Sequence, residues 1–173
     1  HDYVGLFGYS EGKIIDVVLD HVSIVVTGEL SQVVFGGSML GYNEGQLDSI
    51  TTLEGKIRLK ARGNVDAYIG GVIGYNNAKV NFSNLNNNLD VFGDLVEATG
   101  GLIGYSHDSI TLNNSSNSGK VAGISNNVGG LIGLIRLSSN VNDSHNTGEV
   151  DGQDRVGGLV GNSNRKINIL TSY

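Results

Sequence analysis

A glycine-rich motif occurs six times in this chain of 173 residues and constrains the fold more than any other feature. The copies read YVGLFGYS, FGGSMLGYN, IGGVIGYN, TGGLIGYS, VGGLIGLI and VGGLVGNS. Their closing glycines follow one another at 33, 33, 30, 29 and 28 residues and are Gly8, Gly41, Gly74, Gly104, Gly133 and Gly161. The second copy has one extra residue between its glycine pair and its closing glycine. Such a period indicates stacked, similar structural units.

Two further strand-like segments accompany each copy. An aliphatic residue stands six residues after the closing glycine at Ile14, Leu47, Val80, Ile110 and Ile167. In the fifth copy we expect the equivalent residue to be Val141, eight residues after the glycine. A lone glycine ends the other segment at Gly28, Gly63, Gly93, Gly123 and Gly152. Each repeat therefore contains three short strands, and no segment has the 3.6-residue period of an amphipathic helix.

A unit of about 30 residues with three strands cannot bury its own apolar side, but stacked copies can. We therefore predict an all-β protein, a right-handed parallel β-solenoid of about six coils with one repeat per coil. Residues 1–173 form one repeat domain in this interpretation. A β-propeller is the alternative, although its blades need four strands and about 40–50 residues each. Local hairpin corners with antiparallel pairing are a further alternative within the solenoid.

Equivalent residues of successive coils lie above one another in a solenoid. We expect the closing glycines to form columns at which each coil bends, because glycine permits positive φ or a close backbone approach. The residue after each of the first four closing glycines is a tyrosine, which predicts a ladder of Tyr9, Tyr42, Tyr75 and Tyr105. Two interpretations stay open: a structural aromatic ladder whose hydroxyls reach turns, or an exposed strip that stacks on sugar rings.

The segment KIRLKAR concentrates positive charge. As a strand it places Lys56, Arg58, Lys60 and Arg62 on one face, which predicts contact with an anionic glycan or an acidic partner. The alternative is a solvated strand balanced by acidic neighbours such as Asp90. A column of charges with alternating sign is also expected across the coils, in the order Lys60, Asp90, Lys120 and Glu149.

Composition and spacing argue against several classes of function. The chain has 11 basic and 17 acidic residues, a net charge of −6, which argues against a nucleic-acid partner. Cysteine is absent, and the four histidines lack the spacing of zinc ligands, so we expect no catalytic residue, cofactor or resident metal. Calcium at the turn with Glu149, Asp151 and Asp154 is the open alternative. No apolar run has the length of a membrane span, so we expect no membrane insertion.

The last copies read SGKVAGISNNVGGLIG and HNTGEVDGQDRVGGLVG. These resemble GLUG-motif repeats, whose pattern is roughly N-T-G-x-V-x-G followed by V-G-G-L-V-G. The resemblance is strongest over 99–163 and looser over 1–98. It implies a large secreted or surface-attached bacterial protein, either adhesin-like or the non-catalytic N-terminal region of an immunoglobulin-A metallopeptidase. It carries no catalytic residue, because the motif consists of glycine and aliphatic scaffold.

These observations favour a non-enzymatic structural or adhesive segment of a bacterial surface or secreted protein. Such a segment would display a rigid rod that attaches to a glycan or protein ligand of a host or neighbouring cell. The alternative function is the accessory region of a secreted metalloprotease or carbohydrate-active enzyme. The chain begins and stops within repeat motifs, and we expect it to be a fragment of a longer extracellular protein. The sequence does not predict an oligomeric state.

Overall fold

The computed structural model describes residues 1–27, 32–61 and 66–173. The described residues form strands and turns without helix, and all strand pairs between coils are parallel. The predicted parallel β-solenoid is thereby confirmed. The chain makes five complete coils, and a sixth coil adds strands to three of the four sheets. The lone glycines Gly28 and Gly63 and the basic residue Arg62 lie outside the described residues.

Each coil contributes successively to four sheets, here named A to D. Sheet A contains β1 (Asp2–Val4), β5 (Val34–Gly37), β9 (Ala67–Gly70), β13 (Val96–Gly100), β18 (Ser125–Gly129) and β23 (Val156–Gly157). Sheet B contains β2 (Phe7–Ser10), β6 (Leu40–Asn43), β10 (Ile73–Asn76), β14 (Ile103–Ser106), β19 (Ile132–Ile135) and β24 (Val160–Ser163).

Sheet C is formed by β3 (Lys13–Leu19), β7 (Gln46–Thr52), β11 (Val80–Asn87), β15 (Ile110–Asn113), β16 (Ser116–Asn117), β20 (Ser139–Asn142), β21 (His145–Asn146) and β25 (Ile167–Leu170). Sheet D contains β4 (Val22–Thr27), β8 (Gly55–Lys60), β12 (Asp90–Asp94), β17 (Val121–Ala122) and β22 (Val150–Asp151). A complete coil therefore passes through four sheets, one more than the three strands predicted. The glycine motif bends after its first glycine and so supplies two strands, one to sheet A and one to sheet B.

Sheets A and B pack through their backbones, and two columns of glycine permit this contact. A Cβ atom on Gly104 would lie 2.7 Å from the carbonyl oxygen of Ile69 in sheet A. Conversely, a Cβ atom on Gly70 would lie 2.6 Å from the amide nitrogen of Gly104. Similar close approaches to backbone atoms occur at Gly41, Gly74, Gly133 and Gly161. The first coil is the exception, since the nearest atom to a Cβ on Gly8 is 3.4 Å away.

The expectation that the closing glycines form the bends is wrong. They lie within the strands of sheet B, and among the described glycines only Gly55 and Gly123 have a left-handed φ. A column of left-handed residues lies instead midway along sheet C, where φ is between 46° and 56°. Each coil supplies one residue to this column, and these are Asp16, Ser49, Asn84, Asn114, Asp143 and Thr171. Short polar side chains suit this position because they tolerate the left-handed conformation better than other non-glycine residues. His21, Leu95 and Arg155 are also left-handed but stand outside this column.

In coils three to five the second glycine of the pair faces a largely buried asparagine ladder. Asn87 donates to the Oδ1 of Asn117 at 2.7 Å, and Asn117 donates to the Oδ1 of Asn146 at 2.8 Å. A Cβ atom on Gly71 would lie 2.6 Å from the Cγ of Asn87, so the ladder occupies the space of that side chain. Buried amides need such partners, because an unpaired buried polar group costs about 1–3 kcal/mol. This contact explains why the asparagine and the glycine pair recur together in coils three to five.

Two expected register details are wrong. The second copy has no insertion, because Gly37 pairs with Gly70 and the place of the second glycine is taken by Ser38, whose hydroxyl donates to the carbonyl of Gly71. The first copy is instead one residue shorter. In the fifth coil the equivalent of the aliphatic position is Ser139 rather than Val141, because Ser139 pairs with Ile167. Its hydroxyl oxygen accepts the Ile110 amide at 3.2 Å, which explains why a buried serine fits there.

Two apolar cores flank the packed glycine columns. The larger core lies between sheets B and C and includes Met39, Phe82 and Ile103. The smaller core lies between sheets A and D and includes Leu59, Ile69 and Val91. The layers therefore follow the order D, A, B, C, which leaves β5 in sheet A buried at all four residues. The part of the chain that the structure describes contains no helix that is long and apolar enough to cross a membrane.

Candidate ligand-binding surfaces

The predicted basic strip lies on the outer face of sheet D. Lys56 and Arg58 are exposed and Lys60 is half-buried, while Ile57 and Leu59 point into the core between sheets A and D. The fourth predicted member, Arg62, lies outside the described residues. The structure therefore brings three of the cations to one face, as the alternation of the strand requires.

Acidic residues of the next coil stand beside this strip. Asp90 pairs in register with Lys56, and Asp94 pairs with Lys60. The guanidinium Nη2 of Arg58 lies 2.7 Å from a carboxylate oxygen of Asp94. The expected charge column is therefore wrong at Lys60, which lies four residues from the position opposite Asp90. The pairing lowers the positive potential of the strip and weakens the argument that it binds an anionic ligand.

The tyrosines that follow the closing glycines stack in one column. Tyr9 pairs in register with Tyr42, Tyr42 with Tyr75, and Tyr75 with Tyr105. The rings of Tyr42 and Tyr75 are nearly parallel, with centroids 5.1 Å apart. In coils five and six Leu134 and Asn162 take this position, so the aromatic column ends at coil four.

A second aromatic column, which the sequence analysis missed, lies beside the first. Tyr3, Phe35 and Tyr68 pair in register along sheet A. The ring centroids of Phe35 and Tyr75 lie 4.5 Å apart across the two sheets. The signal was present in the sequence, because Tyr3, Phe35 and Tyr68 each stand two positions before a glycine of the motif, namely Gly5, Gly37 and Gly70. We name the two columns together the aromatic face, comprising Tyr3, Phe35, Tyr68, Tyr9, Tyr42, Tyr75 and Tyr105.

The aromatic face is open at one end of the solenoid and closes towards the middle. Tyr3 is 39% exposed and Tyr9 is 43% exposed, whereas Tyr105 is only 9% exposed. A shallow depression of about 260 Å³ lies over the face and is lined mainly by its rings, together with His1 and Asp66. His107 continues the surface, since its ring stacks on Tyr75 with centroids 6.1 Å apart.

Carboxylates hold the exposed edge of the face in place. The Tyr9 hydroxyl donates to Glu44 at 2.7 Å and also to Glu11, and these two hydrogen bonds raise the pKa of Tyr9. Asn77 donates to Glu44 at 3.0 Å, so that hydrogen bonds from Asn77 and Tyr9 lower the pKa of the Glu44 carboxyl. Burial raises the pKa of Tyr42 to about 12. The phenols therefore stay neutral and present polar edges around apolar ring faces.

Acidic and histidine side chains approach one another at another turn. His21 lies with Nδ1 2.9 Å from Asp20 and with Nε2 2.6 Å from Glu54. All three side chains are exposed, and the imidazole itself links the two carboxylates across coils one and two. At the turn considered for calcium, Glu149 pairs with Lys120 at 3.0 Å and Asp154 lies 3.9 Å from Arg155. Two of the three carboxylates considered as calcium ligands, those of Glu149 and Asp154, thus already lie beside the cations of Lys120 and Arg155.

Comparison of the chain with models of protein families, with curated proteins and with solved structures gives no match in any of the three. The resemblance to GLUG-motif repeats therefore stays a prediction from the sequence. The candidate sites rest on the geometry of the described residues.

Proposed function

We propose that the chain is a non-enzymatic, rigid segment of a bacterial surface or secreted protein and that it attaches to an extracellular glycan through the aromatic face. The single observation that carries this proposal is the pair of parallel aromatic columns on one exposed corner of the solenoid. Aromatic rings with neutral hydroxyl edges offer both apolar faces and hydrogen-bonding groups to one ligand. A sugar ring needs this combination, because it has apolar C–H faces and hydroxyl edges.

The scaffold supports attachment because it holds these rings in fixed positions. Backbone hydrogen bonds join each coil to the next, and ring centroids along the tyrosine column are 5.0–5.6 Å apart. Phe35 is only 4% exposed and anchors the centre of the face between the more exposed tyrosines. A preorganised surface loses little conformational entropy when it binds a ligand. The stacked columns therefore support display of a binding surface along a rod.

Exposed flat aromatic surfaces are uncommon on solvated proteins unless they bind something. Large apolar patches on a monomer are often functional sites. The basic strip is the weaker candidate, since Asp94 pairs with Arg58 and Asp90 stands beside Lys56. The proposal therefore places attachment on the aromatic face.

A glycan array probed with the 173-residue chain tests the proposed function. We expect specific binding that the Tyr3→Ser/Tyr9→Ser variant weakens by about tenfold or more, the size of effect typical of removing interface anchors. These two rings are the most exposed of the face, so their loss leaves the buried ladder intact. Tyr173→Ser is the matched control, because Tyr173 is 75% exposed and stacks on His145 rather than on the aromatic face.

Two results would overturn the proposal. The first is that no glycan binds to the wild-type chain, which would indicate a spacer. The second is that binding persists in Tyr3→Ser/Tyr9→Ser but disappears in Lys56→Ala/Arg58→Ala/Lys60→Ala. That outcome would indicate that the basic strip, and not the aromatic face, binds the glycan. Thermal unfolding of each variant establishes that the loss of binding does not follow from unfolding.

A further inference from the structure

A polar trough runs along the rod between the end of sheet B and the start of sheet C. It consists of two adjoining depressions of about 290 and 500 Å³, both lined by Gln46, Lys79 and Val80. Its lining extends from Glu11 in the first coil to Asn140 in the fifth. Because neighbouring coils are about 4.8 Å apart, the trough spans about 19 Å along the axis. Ligand sites commonly enclose about 300–1,000 Å³, so the trough has the size of a binding site.

A change of register between coils two and three creates the trough. Asn76 pairs with Asn43, an offset of 76 − 43 = 33 residues, whereas Ser83 pairs with Asp48, an offset of 83 − 48 = 35 residues. The third coil therefore holds two more residues in this turn, around Lys79. These residues widen the turn and leave a step between the coils. The step is a property of this chain's sequence rather than of the repeat.

Several polar side chains of the trough are not engaged by the protein. Gln46, Lys79 and Asn81 are exposed, and their side chains make no hydrogen bond to any described residue. The side-chain hydroxyls of Ser109 and Ser138 also lack a partner within the described part of the chain. Farther along the same sheet, amides bond from coil to coil, as in Asn114 to Asn84 and Asn142 to Asn113. Within the trough, Asn140 donates to the Thr111 hydroxyl at 3.4 Å and accepts from Asn168 at 2.8 Å. The five unpartnered side chains named above keep their donors and acceptors available to a ligand.

Charge and chemistry indicate which ligand fits. Two carboxylates, Glu11 and Glu44, stand at one end with two ammonium groups, Lys13 and Lys79, so their charges cancel. The remainder of the lining consists mainly of amides and hydroxyls, which both donate and accept hydrogen bonds. Glu44 also accepts from Tyr9 and thereby joins the trough to the aromatic face.

We propose that the trough binds a neutral, linear oligosaccharide that lies along the rod axis. The inference rests on the proposed function, since it adds a polar subsite to the same attachment surface. Each coil presents a fresh set of amide and hydroxyl groups at the spacing of the strands. An extended chain of sugars therefore meets hydrogen-bonding groups in successive coils, and its affinity rises with its length.

Two-dimensional NMR of the isotope-labelled 173-residue chain tests this inference, with cellotetraose and chitotetraose as neutral probes and tetragalacturonate as the anionic one. We expect the amide signals of Asn81, Thr111 and Asn140 to shift with a neutral tetrasaccharide and less with its disaccharide. The variant Gln46→Ala/Lys79→Ala/Asn81→Ala should weaken binding by about tenfold. Its matched control is Gln153→Ala/Asn126→Ala, which removes the same amide residue types from exposed positions outside the trough and should bind as the wild type does.

The outcomes separate this inference from the proposed function. Shifts confined to the aromatic face, or a preference for tetragalacturonate, would contradict binding in the trough but not binding at the aromatic face. Shifts of the trough signals that persist at full affinity in Tyr3→Ser/Tyr9→Ser support the trough and overturn attachment through the aromatic face. The absence of any shift with all three probes overturns the trough, while the glycan array decides whether the aromatic face binds a glycan. A loss of binding in the control variant also overturns the trough, because it would place the ligand elsewhere.

Discussion

At the scale of single residues, glycine is required at the repeated positions for three different structural reasons. From the second coil on, the closing glycine approaches the backbone of sheet A, and the first glycine of each pair approaches sheet B. In coils three to five the second glycine lies against the asparagine ladder. The left-handed conformation, which glycine adopts most readily, is found instead at short polar residues such as Asn84 and Asn114. Glycine is needed in this chain chiefly because it has no Cβ atom.

Two alanine substitutions test whether glycine is required because it has no Cβ atom. Gly104→Ala should lower the free energy of unfolding by about 1–3 kcal/mol, because its Cβ would lie 2.6–2.8 Å from backbone atoms of Gly74 and Ile69. Gly158→Ala should change it by less than about 0.5 kcal/mol, since no atom lies within 4 Å of a Cβ there. Urea unfolding of the two variants measures both values. Equal stability of the two would show that backbone contact does not require the glycine column.

At the scale of the structural element, the aromatic face combines a buried ladder with an exposed binding surface. Burial is the largest cause of the raised pKa of Tyr42, Tyr68, Tyr75 and Tyr105, whereas at Tyr9 the hydrogen bonds to Glu11 and Glu44 dominate. The two interpretations of the tyrosines are therefore compatible. The inner rings stabilise the column and the outer rings remain accessible.

Alkaline pH should reveal the buried part of the ladder. A phenol whose pKa is higher in the folded state favours folding fully below its ordinary value of 10.0. That contribution declines as pH rises from 10.0 towards the folded value, which is about 12 for Tyr42. In an absorbance titration of tyrosinate, the folded chain should therefore ionise at higher pH than the urea-unfolded chain, and Tyr42→Phe should remove one late-titrating group. Coincident titration of the folded and unfolded chains would contradict the burial of the ladder.

At the scale of the whole molecule, each coil contacts chiefly the coils before and after it. The fully buried apolar residues belong to coils two to five, from Val34 to Val141. In the first coil Leu6 is 56% exposed, and in the sixth Leu170 is 61% exposed, because each has a neighbouring coil on one side alone. The stability of such a stack is approximately a sum of terms between nearest neighbours.

Hydrogen exchange in the native state should be slowest in the middle coils and faster towards the two ends of the solenoid. We expect amides of β2 and β24 to exchange faster than those of β10 and β14, since the end coils open without disrupting the middle. Exchange measured by NMR at rising urea concentration gives an opening free energy for each coil. A single value shared by all coils would contradict nearest-neighbour stacking and indicate that the solenoid opens only as a unit.

The sequence by itself determined the parallel stack and the tyrosine column, because both follow from residues that recur at one period and so meet directly above one another. Only the tertiary structure decided the order of the four sheets, the cause of the glycines, the second aromatic column and the acidic partners of the basic strip. These depend on contacts across the layers, such as Phe35 with Tyr75, which no period specifies. They depend equally on local changes of register, such as the two added residues around Lys79, which move a side chain to a new neighbour without changing the repeat.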